Sequence, residues 1–185
     1  HQAGRRLGVT LTAEVDYAAV HDHVHEVIGA IAPHDSQERF EGLGCTVVRA
    51  PAHFTGPGVV AAGDAVITAR RFVIATVPDL PGLADVPYLT NESVFDLTAL
   101  PRRLLILGGG PIGLELGQAF RRLGSEVAIV SRSFLAKDDP ELAAVVLAAL
   151  RADGVELHDR TEARAVVAAT DGVRLTVMQE GKPQV

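Results

Sequence analysis

Apolar residues recur along the chain with two different periods, and the switches between them mark out the elements. Ala18, Val20, Val24, Val27, Ile28 and Ile31 fall near the 3.6-residue repeat of a helix, which predicts one from Tyr17 to Ile31. Ala32-Pro33 stops it. Asp35-Ser36-Gln37-Glu38 has the pattern of a capping box, with Asp35 as the cap, and predicts a short helix that Gly42 or Gly44 ends. Cys45 to Arg49 is rich in β-branched residues and predicts a strand. Val59-Val60 and Val66-Ile67-Thr68 flank a Gly63-Asp64 turn, the pattern of a hairpin, and Phe72-Val73-Ile74-Ala75-Thr76 is a continuous apolar strand. Pro78-Asp79-Leu80-Pro81-Gly82 excludes regular structure, so the stretch to Pro101 is expected to be a connector crossing a domain boundary.

After Pro101 the rhythm changes. Leu104-Leu105-Ile106-Leu107 is a short buried strand, followed by Gly108-Gly109-Gly110-Pro111-Ile112-Gly113 and a helix that runs to about Leu123 and is capped by Gly124. Glu126 to Val130 predicts the next parallel strand. Asp139 caps a second helix with Pro140 at its first position, where a missing N–H costs nothing. That helix ends at Asp153-Gly154, Val155 to His158 is a third strand, and Ala163 to Val185 reads as antiparallel strands broken at Asp171-Gly172 and Glu180-Gly181. The expected fold is α/β, with a Rossmann-like nucleotide-binding portion after Pro101 in which helices flank a parallel sheet, followed by an antiparallel meander.

Gly108, Gly110 and Gly113 carry the G-x-G-x-x-G spacing between a strand and a helix. Gly108 makes the tight turn, Gly110 lets the backbone approach a pyrophosphate, and Gly113 lets helix and strand pack closely. The free N–H groups of the helix end, Pro111 and Ile112 among its first residues, then face the phosphates. The motif alone is weak evidence, and the flanking strands and helix supply the context it requires. An NAD-binding unit commonly places an acidic residue about 20 residues beyond the glycines, at the end of the second strand. Here Ser131-Arg132 stands there, and a guanidinium suits a 2′-phosphate, so NADPH is expected over NADH.

Composition narrows the function classes. With 48% hydrophobic and 22% charged residues the chain has the balance of a soluble globular protein, and no run approaches the ~18 apolar residues of a membrane span. The net charge of −6, spread without long runs, leaves no basic face for nucleic acid. No targeting signal is expected, and Cys45, standing alone, builds neither a disulfide nor a cysteine metal cluster, which fits the cytoplasm. Cys45 is expected to be a buried small hydrophobe. His21, His23 and His25 lack a clear third ligand nearby, so a solvated helix face is expected and no metal site. His34-Asp35-Ser36 has the residue types of a hydrolytic triad, but adjacent residues cannot converge as a triad must.

Leu104 to Leu157 resembles the nicotinamide domain of the pyridine nucleotide–disulfide oxidoreductases, whose pattern G-x-G-x-x-G-x-E-x-G/A is met by Gly108, Gly110, Gly113, Glu115 and Gly117. Further matches are Asp138-Asp139-Pro140-Glu141, Asp153-Gly154-Val155, Ile31 to Ser36, Phe54-Thr55-Gly56-Pro57, Phe72 to Thr76 and Leu80-Pro81-Gly82-Leu83. Ser131-Arg132 tilts the resemblance towards the mercuric-reductase-like branch. It implies a flavoprotein in which NADPH reduces FAD, and FAD reduces a cysteine pair or a metal-ion or disulfide acceptor. Residues 1–100 would be part of the FAD domain and 101–185 part of the NAD(P) domain, in a protein that is a homodimer at full length. By the resemblance Ile112 gates the nicotinamide pocket, and Ala52, Ala75 and Thr76 line FAD. Glu115 would sit beside the nicotinamide, although a glutamate in the first turns of a helix can simply complement its dipole.

The chain departs from the family's pattern in three places. The FAD glycine motif and the Cys-x-x-x-x-Cys pair both fall before residue 1, the last parallel strand and the dimerisation domain fall after residue 185, and Val77-Pro78 replaces Gly-x-x-Pro after Ala75-Thr76. The chain is therefore expected to be a fragment that does not turn over alone. An NAD-dependent dihydrolipoamide dehydrogenase is the alternative enzyme, and a non-catalytic dinucleotide-binding regulatory module the alternative of another class. The electron acceptor, whether mercuric ion, lipoamide or another disulfide, is not written in these residues.

Overall fold

Three short sheets organise the chain in a computed structural model that describes residues 14–71, 80–179 and 182–184. Contacts divide it into two compact units: His23–Pro78, and His1–Asp22 together with Asp79–Val185. Helix α1 spans Tyr17–Ile31, as its periodicity requires.

The smaller unit contains α2 (Gln37–Gly42) and an antiparallel sheet of β1 (Ala52–Gly56), β2 (Val59–Ala62) and β3 (Ala65–Thr68) in that order. The β2–β3 hairpin turns at Gly63-Asp64, where Gly63 has a φ of 58° that suits glycine. Three expectations fail here. The cap of α2 is Ser36, whose hydroxyl accepts the Arg39 N–H at 3.2 Å, while Asp35 closes a 3-10 turn over Ala32–Asp35. Cys45 to Arg49 forms no strand, and Cys45 is exposed. β propensity expresses a fit to a neighbouring strand, and no strand of this sheet pairs with those residues. The expected strand Phe72–Thr76, with Ala75 and Thr76, lies outside the described residues.

The larger unit holds the parallel sheet β4 (Arg103–Gly109), β5 (Glu126–Phe134) and β6 (Glu156–His158), in the order β4-β5-β6. Helix α3 (Pro111–Leu123) connects the first pair and α4 (Pro140–Ala152) the second. An antiparallel meander follows: β7 (Thr161–Ala169), β8 (Gly172–Gln179) and β9 (Lys182–Gln184). Val127 and Ile129 from β5, Leu114 and Phe120 from α3, and Leu150 from α4 form the buried centre with Val94 and Val155. Each such side chain contributes on the order of 1.5–3 kcal/mol by leaving water.

Val94 belongs to the stretch expected to be a connector. That stretch makes 3-10 turns over Leu83–Asp85 and Ser93–Asp96, buries Val86 and Val94, and accepts the Val166 N–H on the Pro81 carbonyl at 3.0 Å. It is part of the larger unit. A second tie joins the far ends of the two helices. The Asp153 carboxylate accepts Gln118 Nε2 at 2.8 Å and Arg122 Nε at 2.9 Å, while Arg121 donates to the Asp153 and Ser125 carbonyls, each at 3.0 Å. These contacts tie the C-terminal end of α3 to the end of α4.

Candidate dinucleotide-binding site

β4 delivers the chain into the loop that begins at Gly108. Gly108 has a φ of 120°, a conformation that side chains rarely adopt. A Cβ on Gly113 would run into the Gly108 carbonyl oxygen, and one on Gly117 would come within 2.7 Å of Ile129 Cδ1. Both glycines therefore serve the close packing of α3 on the sheet. Gly109 is just as confined: a Cβ there would lie 2.5 Å from Phe134 Cδ1 and 2.8 Å from both Ser131 Oγ and the Ser133 carbonyl.

Gly110 is different. Its φ of −80° and ψ of 174° suit any residue, and a Cβ on it would meet nothing within 4 Å. Neither its own backbone nor its protein surroundings call for glycine. The end of α3 beside it is equally open. Pro111 stands at the start of the helix, and no side chain caps it. By contrast Asp139 caps α4, accepting the Glu141 and Leu142 N–H groups at 2.9 and 3.2 Å, and Ser36 caps α2. Uncapped N–H groups and the positive end of the helix dipole make a place for an anion. A pyrophosphate fits there by the chemistry of its donors and by the space over Gly110.

The expected site residues fall as follows. Gly108, Gly110, Pro111, Ile112 and Gly113 form one continuous turn, with Ile112 58% exposed at its rim. Ser131 and Arg132 lie near the end of β5, which extends to Phe134 and thus beyond the expected Val130. Ser131 is half-buried and packs under Gly109; Arg132 is exposed and has no ion-pair partner among the described residues. Glu115 is exposed and faces a cleft of about 330 Å³ between α3 and α4, shared with Gln118, Asp138, Leu142 and Val146. Ala52 begins β1 in the smaller unit. Gly109, Ser133 and Phe134 were not singled out by the sequence, although the Ser131-x-Ser133 spacing is that of a local side chain–backbone turn. Among the described residues, no three His, Cys, Asp or Glu side chains converge on a point that could hold a metal ion. No described helix is long and apolar enough to cross a membrane.

A parallel strand–glycine loop–helix–strand unit with an open helix end is the architecture of the Rossmann-like nucleotide-binding proteins. The family model for pyridine nucleotide–disulphide oxidoreductases matches residues 13–185, and the chain belongs to that family of oxidoreductases. Mercuric reductase of Streptomyces lividans is 34% identical over 187 residues, covering 95% of this chain and 40% of the relative. Mercuric reductase of Bacillus cereus is 34% identical over 155 residues, covering 80% of this chain and 25% of the relative. The chain thus spans two fifths or less of these relatives' own length. The HOCl-induced flavoprotein disulfide reductase RclA from Escherichia coli superposes with a TM-score of 0.60 at 22% identity, over 92% of this chain and 41% of that one. At that identity the likeness shows the fold: mixed α/β, with parallel and antiparallel sheets.

Proposed function

We propose that this chain binds NADPH at the Gly108–Gly113 loop, as the pyridine-nucleotide side of an FAD-dependent oxidoreductase of the mercuric-reductase type. The observation that carries the proposal is Gly110, a glycine that neither conformation nor protein packing requires, placed over an uncapped helix end. In the bound state the pyrophosphate lies over Gly110 and accepts the first free N–H groups of α3, Ile112 borders the nicotinamide, and Arg132 meets the 2′-phosphate. Glu115, in the second turn of the same helix, is the candidate for a carboxylate near the nicotinamide. When bound, NADPH would supply a hydride at the nicotinamide, and the FAD that family membership implies would take it up for reduction of a disulfide formed by a cysteine pair. Of the positions laid along FAD, Ala52 alone lies among the described residues, so the flavin rests on family membership. Mercuric ion as terminal acceptor is drawn from the named activity of the relatives, a homodimer from the family resemblance, and a cytoplasmic setting from the single cysteine.

Calorimetric titration of the purified protein with NADP+ and NAD+ tests the cofactor. Arg132→Ala removes charge-assisted hydrogen bonds worth about 1.5–3 kcal/mol, so NADP+ should bind on the order of 10- to 100-fold more weakly and NAD+ should be little changed. Equal losses for both nucleotides would refute the assignment of Arg132 and favour an NAD-linked enzyme.

A further inference from the structure

The end of β5 does not follow the course that its apolar run implies. Leu107 of β4 pairs with Val130, but the next pair is Gly109 with Phe134. One residue of β4, Gly108, therefore lies opposite three of β5: Ser131, Arg132 and Ser133. This is a bulge, the device by which a sheet re-aims a side chain beside a site. Ser131 closes it from within. Its hydroxyl donates to the Ser133 carbonyl at 2.6 Å and accepts the Ser133 N–H at 3.3 Å, taking up two backbone groups that the interrupted ladder leaves over. The same hydroxyl oxygen lies against Gly109, and Leu135 N–H donates to the Gly109 carbonyl at 2.9 Å. The bulge is thus locked to the glycine loop. Arg132 stands at its crest, exposed, with no ion-pair partner among the described residues.

We infer that Ser131 is a positioning residue that sets the preference for a 2′-phosphorylated dinucleotide without touching the ligand. The inference rests on the assignment of Arg132 to the 2′-phosphate. A guanidinium discriminates only if it is held at the right distance from the loop that fixes the pyrophosphate, and a pre-set pose reduces the ordering cost of binding. The Ser131 hydroxyl is already engaged with Ser133, so its contribution comes through the shape of the bulge. With the hydroxyl removed, the Ser133 backbone groups turn to water at the exposed end of the strand. The fold survives, and the backbone that carries Arg132 is no longer held in the bulge.

The experiment measures NADP+ and NAD+ affinities by calorimetry for the wild-type protein, Ser131→Ala, Arg132→Ala and the double variant. Ser131→Ala is expected to lower the NADP+/NAD+ affinity ratio about threefold to tenfold, the factor that one ordinary hydrogen bond carries, with the circular-dichroism spectrum and a cooperative melt as the control for folding. In the Arg132→Ala background the same change should leave the ratio where it is, because its effect runs through Arg132. Ser131→Thr, which keeps a hydroxyl, should keep the ratio. A Ser131→Ala protein with the full preference overturns the inference while leaving the Arg132 assignment intact. So does an equal drop with and without Arg132, which would mean direct contact. A wild-type protein with no preference for NADP+ overturns both.

Discussion

Replacing Gly110 by alanine separates stability from binding, because the glycine has no structural reason to be there. The backbone at Gly110 (φ −80°, ψ 174°) is open to alanine, and the added Cβ would meet no protein atom within 4 Å. A glycine-to-alanine change at such a position stabilises by about 0.4–1 kcal/mol, through loss of freedom in the unfolded chain. In a chain of 185 residues that raises the melting temperature by roughly 1–4 °C. Binding should move the other way. A methyl group in a space that phosphate oxygens must share is an overpacking fault of about 1–3 kcal/mol, or roughly 5- to 150-fold in affinity for NADP+ and NAD+ alike. Gly113→Ala is the contrast, since its Cβ would run into the Gly108 carbonyl. That contact is with backbone, so the protein itself should lose stability. Thermal unfolding and calorimetry on the two variants read both quantities. A Gly110→Ala protein that binds dinucleotide as tightly as the wild type, or that melts several degrees lower, refutes the reasoning.

Three further outcomes follow from the packing around the site. Gly117→Ala pushes a methyl group to 2.7 Å from Cδ1 of Ile129, which is fully buried, and should cost about 1–3 kcal/mol in urea unfolding; a neutral result would show that α3 can lift off the sheet. Asp139→Ala removes the acceptor of two N–H groups at the start of α4 and should cost about 1 kcal/mol, read as a melting temperature lower by roughly 2–4 °C. The hydrogen bond and charge of Arg103 hold the Asp171 carboxyl below its ordinary value. A depressed folded-state pKa gives stability that is present above the unfolded value, about 3.9, and lost as pH falls through the folded one. Asp171→Asn should therefore narrow the gap between neutral and acid stability slightly, and only at low salt, since the pair is exposed. A wider gap would contradict the sign.

Much of the architecture was legible because it is written in local terms. Helices α1, α3 and α4 follow from the spacing of their apolar residues, and their ends from Pro140, Gly124 and Gly154, whose effects on the backbone need no distant partner. Strands depend on what lies beside them. Cys45 to Arg49 has the residues of a strand and forms none, whereas Arg103, a charged residue outside the apolar run, is drawn into β4 by pairing with Glu126. From Leu80 onward the connector holds no strand and no helix longer than a 3-10 turn, as its prolines suggest. They say nothing of Val86 and Val94, two apolar residues too far apart to show a period, yet each is buried by the larger unit. Asp35 and Ser36 are both good caps, and the choice between them rests on which backbone turns first.

The site shows the same division more sharply. The glycine loop was readable because each of Gly108, Gly110 and Gly113 answers a local demand or a ligand, and the spacing of the three is fixed by one turn of chain. The place of Arg132, near the end of the second parallel strand, was readable from its distance beyond the loop. What joins the two was hidden, because the joint is a register shift. Val130 ends the apolar run, and only the pairing of Gly109 with Phe134 shows that β5 goes on, bulging over Ser131, Arg132 and Ser133. Gly109 fills a variable position of the motif, which asks nothing of it. It is instead where the glycine loop touches the turn at Ser131, at 2.8 Å from Ser131 Oγ to the place a side chain would occupy. A larger residue at Gly109 would have to displace Phe134 and the Ser133 carbonyl together, so it should disturb affinity and cofactor preference at once, where Gly110 disturbs the first and Ser131 the second.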